Sequence, residues 1–597
     1  MGTQIRINKK PYQTVDAVVT ERFPQWPEQF RTSGEQTHAN HAPFPYWVPN
    51  TYNKGIGRDV YKAGEGSYDF ATCTAIWGNI TLPLRVKTCG LSDSNPTAVV
   101  KGFADSKGNT FSVWLDSAHA FSATWDTTNK QWTVGGDILA SGCVGVYGVI
   151  RHEGNLFAVA DDAGTLHTYK STDAGVTWVA NTDTSLSGIG PAILVSVVDG
   201  ASSDLYITTW TAATSTITVY KSTDDAANWS LLCSIYSKEG PKGLVWFEYL
   251  IDATSDSYPI LRTYEGSWVC KAVPLKFLDT GQVGDAADAQ GLCIWQELLA
   301  IPTGKDLILR SKDSINTPSG ITQMDGFPSD YLGYTTALLA ARYHLIAAIQ
   351  GTYTGIYRYD GEGWHSIFVD STAGRVIRHL HASASSTIPT LFFSLGAGLH
   401  RYIENYHDNP LEITTTEYEE FGTFDLPSFS GELAETQIIV YSIHAYTKNL
   451  QEGAEEIDIL YKLDDRTNFT YLGTLTDITK VLSFPRGGVA CNRIQLRAKL
   501  KRGSTYTETP VLYYLALEFQ QLLDVLIIST FTIDCGKTAT LYDRRNVVEE
   551  LRTIQKGSGL IEYQTKSLSA PVTMYVENLR ITEDDINATA SFTTIEV

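Results

Sequence analysis

From about Val99 to Leu411 the chain consists of short apolar runs separated by polar turns, a pattern that predicts β-strands. Seven segments align under one another, and each has two apolar strands joined by a turn, then a strand bearing Tyr or Arg. They span 98–134, 146–179, 192–232, 244–270, 292–314, 337–369 and 376–403. Their spacing of about 45 residues is that of a four-stranded propeller blade. We predict a β-propeller of about seven blades over residues 92–415, with six or eight as alternatives because the fifth and seventh segments are the least regular.

The sequence on either side of this region differs from it in composition and in the pattern of apolar residues. Residues 1–91 are rich in Pro, Gly and aromatic residues, which predicts an extended N-terminal arm packed on the propeller or on a neighbouring subunit. Residues 416–522 show the apolar–polar alternation of an antiparallel β-sandwich. Residues 523–597 combine strands with the helical stretch "NVVEELRTIQK", in which Asn546 is the expected N-cap, and predict a small α+β domain. The predicted fold class is mainly β and multidomain.

One phrase occurs twice in the propeller region, as "YKSTDAGVTW" at 169–178 and as "YKSTDDAANW" at 220–229. In the first copy, Asp173 can accept hydrogen bonds from the backbone N–H groups of a tight turn, and Gly175 can supply a positive φ. Trp178 offers a large ring to bury between neighbouring blades. The second copy has Ala226 and Asn228 where the first has Gly and Thr, so we expect its turn to be more strained or to use different dihedral angles.

The spacing of the first copy resembles the Asp-box, the S-x-D-x-G-x-T-W turn motif of sialidases, sortilin-like proteins and other propellers. The resemblance implies a propeller fold and a structural role at the periphery of the blades, away from the axial face where sialidases do chemistry. The residues to which it assigns this role are Ser171, Asp173, Gly175, Thr177, Trp178, Ser222, Asp224 and Trp229.

Candidate catalytic groups do not form a recognised set. A sialidase resemblance would require an ordered arginine triad with an Arg-Ile-Pro context, which is absent, and the repeat itself explains Arg262, Arg310 and Arg358. A glycosidase needs two carboxylates across a cleft, whereas the acidic pairs here fall in turn-like contexts that favour solvated turns. Those pairs are Asp161–Asp162, Asp224–Asp225, Glu419–Glu420, Asp464–Asp465 and Asp584–Asp585. We predict that the chain is not an enzyme.

Histidine pairs and loop aromatics are the remaining candidate binding residues in the sequence. His38 and His41 lie close together in a polar loop, and His379 and His381 share one strand face, but neither pair has an evident third ligand. We therefore predict no metal and no cofactor. Four aromatics could stack on sugar faces if they are exposed, namely Trp210, Trp246, Trp295 and Tyr353.

Net charge, cysteine spacing and the lengths of apolar runs limit the classes of partner and of site that the sequence predicts. The formal net charge of −20 argues against a nucleic-acid or anionic-membrane partner. The eight cysteines contain no C-x-x-C pair, which favours buried free thiols over a zinc site or a disulfide framework. The N-terminus "MGTQIRINKKPYQ" has no secretory apolar region, and no apolar run reaches the length of a membrane-spanning helix.

The order of the parts is similar to that of structural proteins in tailed-bacteriophage virions: an aromatic arm with "YWVPNTYNKGIGRD", then "GNITLPLRV", a propeller, a sandwich and a small closing domain. The resemblance implies a tail, baseplate or adsorption protein that is made in the host cytoplasm, resides in the virion and acts by assembly. Expected partners are other virion proteins, copies of itself and a host-surface glycan. A sialidase-like propeller glycosidase and a non-viral carbohydrate-binding propeller are the alternatives.

Overall fold

The computed structural model of the chain consists mainly of antiparallel β-sheets. It divides into two compact units, one formed by residues 1–44 with 520–597 and the other by residues 45–519. The structure describes residues 4–596 except 9, 16–18, 25–45, 50–51, 53, 58–66, 76–77, 93–96, 182–185, 187–188, 200–201, 237–239, 248, 256–258, 265–267, 272–291, 304–305, 312–319, 322–326, 342, 384–387, 397–399, 407–408, 431–436, 465, 478–479, 522–524, 536–543, 557–559, 565–571 and 584–587.

Seven antiparallel sheets follow one another along the chain, and we call them blades 1 to 7. Blade 1 comprises Val99–Ser106, Asn109–Asp116, His119–Asp126 and Gln131–Leu139; blade 2, Cys143–His152, Asn155–Asp162, Thr165–Ser171 and Val179–Ala180. Blade 3 comprises Ile189–Asp199, Ser202–Thr211, Thr216–Ser222 and Ser230–Tyr236; blade 4, Pro241–Phe247, Tyr249–Ser255, Pro259–Tyr264 and Trp268–Lys271. Blade 5 comprises Cys293–Trp295, Leu298–Thr303, Asp306–Ser311 and Gly320–Ile321; blade 6, Tyr334–Ala341, His344–Gln350, Thr354–Tyr359 and Trp364–Asp370. Blade 7 comprises Leu380–Ser383, Thr390–Ser394 and His400–Glu404, completed by Lys87–Cys89.

The blades close into a ring. The first strand of each blade contacts the first strand of the next, and that of blade 7 contacts that of blade 1. Side chains also join these two blades, because His381 Nε2 lies 3.0 Å from Asp105 Oδ1 and Thr110 Oγ1 lies 2.6 Å from Ser383 Oγ. The prediction of a propeller with about seven blades is confirmed.

The fourth strand of blade 7 comes from the region before blade 1. Lys87–Cys89 pairs with His400–Glu404, with Thr88 opposite Arg401. The chain segment before blade 1 is thus hydrogen-bonded into the sheet of blade 7, so the ring cannot open there without breaking main-chain hydrogen bonds. The predicted propeller start at residue 92 therefore misses one strand.

Residues 45–91 differ from the irregular arm that we predicted. Two short strands, Gly55–Ile56 and Ser67–Tyr68, extend blade 6, and two others, Tyr46–Trp47 and Phe70–Ala71, extend the two sheets of the sandwich. The segment thus packs on its own propeller, which was one of the two expected outcomes. The sequence pattern missed these strands because each is only two residues long. Three of them pair with strands several hundred residues away, and Ser67–Tyr68 pairs with one of those three, Gly55–Ile56.

The β-sandwich is built from two sheets, and the expectation of strand-rich structure after the propeller is met. In one sheet the order is Thr470–Leu475, Glu456–Leu463, Ile494–Lys501, Phe421–Asp425 and Phe70–Ala71. In the other it is Tyr46–Trp47, Val511–Gln521, Ile438–Lys448 and Val481–Ser483, and Val489–Cys491 also pairs with Ile438–Lys448. The alternate burial along Glu456–Leu463 has the period-2 pattern that predicted it. The predicted boundaries near residues 415 and 522 stay predictions.

The other unit contains one seven-stranded sheet, ordered Lys10–Gln13, Gln4–Ile7, Leu560–Gln564, Val572–Glu583, Ala588–Glu596, Val525–Asp534 and Val19–Pro24. Strands from the N-terminal region therefore lie at both edges of the sheet, so residues 4–24 are not part of a separate arm. The predicted helix is present as Arg544–Lys556, and it packs Val547 and Leu551 into the core. Asn546 lies inside this helix, so its assignment as the N-cap is wrong.

Candidate functional site

The first copy of the repeated phrase forms a closed turn after the third strand of blade 2. The Asp173 carboxylate accepts hydrogen bonds from Ser171 Oγ (2.8 Å), Thr177 N (2.9 Å) and Thr177 Oγ1 (2.5 Å). Ser171 Oγ in turn accepts from Gly175 N at 2.8 Å, and Gly175 has φ +84°, as predicted. The hydrogen bonds from the Thr177 hydroxyl and N–H lower the pKa of Asp173 to about 2.

The second copy makes the same hydrogen bonds with different residues. Asp224 accepts from Ser222 Oγ (2.8 Å) and Asn228 N (2.9 Å), and Asn228 Nδ2 donates at 2.6 Å where the first copy uses a Thr hydroxyl. Ala226 has φ +62°, a left-handed conformation that is costly for a residue with a β-carbon, so this turn carries the strain that we expected. Asn228 lowers the pKa of Asp224 through its side chain and its N–H group.

Two further blades use an aspartate in the equivalent turn, and the sequence reading missed both. In blade 1, Asp126 Oδ1 accepts from the N–H groups of Thr128 (2.8 Å) and Asn129 (3.0 Å). In blade 6, Asp360 Oδ1 accepts from the N–H groups of Glu362 and Gly363, both at 2.9 Å. A signal was available, because an Asp stands four to six residues before a Trp in four blades: Asp126 and Trp132, Asp173 and Trp178, Asp224 and Trp229, Asp360 and Trp364.

Trp178 links blade 2 to blade 1 through Ser122. Trp178 Nε1 donates to Ser122 Oγ at 3.1 Å, and Ser122 Oγ donates to the carbonyl of Gly175 at 2.7 Å. The indole packs with apolar side chains of blades 1 and 2, which confirms the predicted burial between blades. Trp229 is 6% exposed and packs in the cluster between blades 2 and 3. The eight residues of the repeated phrase thus lie in or at the start of two turns, each joining the third and fourth strands of its blade.

A polar cluster that the sequence did not predict lies where blade 2 meets blade 3. His152, buried at the end of the first strand of blade 2, has Nδ1 2.8 Å from Ser196 Oγ and Nε2 3.6 Å from Asp225 Oδ1. Lys170 Nζ donates to the other oxygen of Asp225 at 2.9 Å. Glu153 completes the cluster, since the ligand atoms of His152, Glu153 and Asp225 all lie within 4.8 Å of one another.

The other candidate groups do not converge on a cleft. Asp161 and Asp464 accept backbone N–H groups of local turns and neighbouring strands. Arg358 is buried and donates to the carbonyl of Tyr406 at 3.1 Å, and burial lowers its pKa to about 10. His381 belongs to the contact between blades 7 and 1. His38, His41, Asp465, Asp584 and Asp585, with the side chains of Arg262 and Arg310, lie outside the described residues.

The four aromatics that are candidates for sugar stacking pack against neighbouring side chains of the propeller. Trp295 is buried in its strand and meets Tyr359 edge-to-face, with 5.7 Å between ring centroids. Trp246 is half-buried and stacks on Tyr206 at 6.0 Å, and Trp210 packs in the same cluster. Tyr353 is half-buried against Tyr331. Trp295 is therefore too buried to stack on a sugar, and the other three rings are only partly exposed.

No family model and no curated protein matches the chain. Among solved structures, Saccharomyces cerevisiae Sqt1 is 10% identical over 54% of this chain and 99% of its own, with a TM-score of 0.36. YCF48 from Cyanidioschyzon merolae is 15% identical over 53% of this chain and 98% of its own, also with a TM-score of 0.36. The Dos1 propeller is 9% identical over 51% of this chain and 78% of its own, with a TM-score of 0.33. Each of these matches covers about half of this chain.

Within the described residues, no helix combines the length and the apolar character that crossing a membrane requires.

Proposed function

We propose that this protein is a structural component of a tailed-bacteriophage virion, in the tail, baseplate or adsorption apparatus, and that it acts by assembly. The observation that carries the proposal is the way in which residues 45–91 fasten the propeller to the sandwich. That segment adds strands to two blades and to both sandwich sheets. A propeller fixed to a second domain in this way suits a load-bearing platform better than a hinged catalytic module.

Charged side chains reinforce the same connection. Lys87 Nζ lies 3.2 Å from Glu404 in blade 7 and 2.8 Å from Glu417 at the start of the sandwich region. Arg85 Nη1 lies 2.7 Å from Glu417, and its guanidinium stacks on the Tyr506 ring at 3.8 Å. A network of this kind holds its members more firmly than isolated surface ion pairs do. It therefore supports a propeller and a sandwich that move as one body.

The polar residues of the two repeated turns support a structural role. Asp173 and Asp224 use their oxygens to close turns within blades 2 and 3, and Trp178 and Trp229 are packed between blades. We propose that these turns are Asp-box turns in the sense of the sequence resemblance. A carboxylate held by this many hydrogen bonds has its pKa lowered, which suits a permanent anion in a scaffold rather than a proton donor.

The test is to locate the protein in particles. Antibodies raised against the full chain would be used for immunogold labelling of purified phage particles produced from the genome that encodes it. We expect label at the tail or baseplate. Particles that contain no copies of the chain, by labelling and by mass spectrometry of their proteins, would overturn the proposal. A truncation of residues 1–91 is not a suitable assembly test, because it removes the closing strand of blade 7.

The two alternatives are separated by assays on the same full chain. Hydrolysis of sialyl or other glycoside substrates would favour the glycosidase. Reversible binding on a glycan array, without turnover and without incorporation into particles, would favour the carbohydrate-binding propeller.

A further inference from the structure

We infer that His152, Glu153 and Asp225 form a binding site for a divalent transition-metal ion, Zn²⁺ by its chemistry, at the junction of blades 2 and 3. His152 ends the first strand of blade 2 and Glu153 follows it, whereas Asp225 lies in a turn of blade 3, 73 positions after His152. Their ligand atoms lie within 4.8 Å of one another. One imidazole nitrogen with two carboxylates is a donor set that Zn²⁺ accepts, whereas Ca²⁺ and Mg²⁺ prefer oxygen donors alone.

The imidazole is held in the orientation that such a site needs. Ser196 Oγ lies 2.8 Å from His152 Nδ1, on the far side of the ring from the carboxylates. A hydrogen bond from Nδ1–H to this hydroxyl leaves the Nε2 lone pair facing two oxygens, Ser203 Oγ at 3.4 Å and Asp225 Oδ1 at 3.6 Å, and a bound ion would take the place of the Ser203 contact. The His152 ring is buried and packs edge-to-face on Phe157 at 5.8 Å, so it has little freedom to turn away.

The propeller contains its own comparison, because the junction of blades 1 and 2 has the same backbone without these ligands. Ser106, Lys107 and Ala174 occupy the positions that correspond to His152, Glu153 and Asp225. Lys107 and Glu153 have φ values of +50° and +47°, and Ala174 and Asp225 have +61° and +57°. The turns are therefore alike, and all three ligand-type side chains occur together at one junction and not at the other.

Lys170 sets the strength of the site. Its ammonium contacts Asp225 Oδ2 at 2.9 Å and leaves Oδ1 facing the imidazole. This cation orients the carboxylate but repels a second cation nearby. We therefore expect Lys170→Gln to tighten Zn²⁺ binding, and an affinity that is unchanged or weaker in this variant counts against coordination by Asp225.

The experiment is calorimetric titration of the metal-free full chain with Zn²⁺, with Co²⁺ absorption as a second readout. We expect one Zn²⁺ per chain and at least tenfold weaker binding in His152→Gln and in Asp225→Ala, the latter taking the residue found at the matching position of blade 2. Ser196→Ala should cost about tenfold, the usual effect of losing an outer hydrogen bond to a ligand. His381→Gln is the matched control, since His381 also pairs with one carboxylate, that of Asp105, across a blade junction.

Zn²⁺ should also raise the unfolding temperature of the native chain and of His381→Gln but not that of His152→Gln, because the ion would hold two blades together. Circular dichroism checks that each variant is folded. Absence of stoichiometric Zn²⁺ binding by the native chain overturns the inference. So does equal binding by the native chain, His152→Gln and Asp225→Ala, or a thiolate–cobalt absorption band that places the ion at a cysteine.

Discussion

Replacing Ser122 by Ala should loosen the contact between blades 1 and 2. Ser122 is 1% exposed, and its hydroxyl donates to the carbonyl of Gly175 (2.7 Å), lies 3.2 Å from the carbonyl of Gly136, and accepts from Trp178 Nε1 at 3.1 Å. The substitution keeps the β-carbon and removes only this oxygen. It therefore tests the hydrogen bonds with almost no change in packing volume.

The loss of stability in Ser122→Ala depends on the polar groups that no longer have the hydroxyl as a partner. The Gly175 carbonyl keeps a second partner, the N–H of Gly136 at 3.1 Å, and the Trp178 indole is only half-buried. We therefore count one polar group that loses its partner, the Trp178 Nε1–H, which costs about 1–3 kcal/mol. If the turn opens locally, its amide exchange should accelerate about 5- to 150-fold, because each 1.4 kcal/mol corresponds to about a factor of ten.

The assay is hydrogen–deuterium exchange measured by mass spectrometry on peptides that cover residues 171–180. Ser112→Ala is the matched control, because the Ser112 hydroxyl is equally buried but bonds only within blade 1, to Trp114 Nε1 (2.7 Å) and the carbonyl of Ala123 (3.5 Å). The reasoning is refuted if Ser122→Ala leaves exchange in this turn unchanged, or if Ser112→Ala accelerates it equally.

Three further predictions concern acid, glycine and the N-terminal strands. The folded-state pKa values of Asp173 and Asp360 are lowered to about 2, so the stability that these carboxylates contribute is present above about pH 4 and is lost as the pH falls towards 2. Unfolding temperatures measured against pH check this, and Asp360→Asn should make the unfolding temperature less dependent on pH. Gly55→Ala should lower the free energy of unfolding by more than about 2 kcal/mol, because a β-carbon there would lie 2.2 Å from a backbone oxygen of blade 6. Gly78→Ala, at a similar φ but in open space, should cost only about 1 kcal/mol, and denaturant unfolding compares the two variants. Deleting residues 1–24 removes the strands at both edges of the C-terminal sheet, so the core of that sheet should become accessible to protease. Amide hydrogen exchange within the propeller should stay as in the native chain, and digestion that leaves residues 525–597 intact would contradict the prediction.

The propeller could be predicted because its signal is local and repeated. Each blade is made of consecutive strands, so the chain shows the apolar run, the turn and the next run in order along the sequence. The short strands of residues 45–91 give no such signal. Tyr46–Trp47 pairs with residues near 517, and Phe70–Ala71 with residues near 424, so only the tertiary fold identifies them as strands.

The same distinction applies to the sites. The hydrogen bonds of Asp173 reach residues at most four positions away, and the sequence was sufficient to predict them. His152, Ser196 and Asp225 lie on three separate strands or turns and meet only because blades 2 and 3 pack side by side. A histidine that ends one strand and an aspartate in a later turn carry no mark of their proximity in the sequence.

The two copies of the repeated phrase show which property of the turn the fold requires. Between them Gly175 becomes Ala226 and Thr177 becomes Asn228, yet the Asp accepts from the same two positions and the Ser accepts from the same N–H group. The fold therefore constrains the hydrogen-bond geometry and tolerates about 1–2 kcal/mol of backbone strain to keep it. The position before Ala226 takes no part in closing the turn, so it is free to change, and it is the position at which Asp225 meets the histidine of the neighbouring blade. A new site can arise in a propeller at such a position without cost to the blade that carries it.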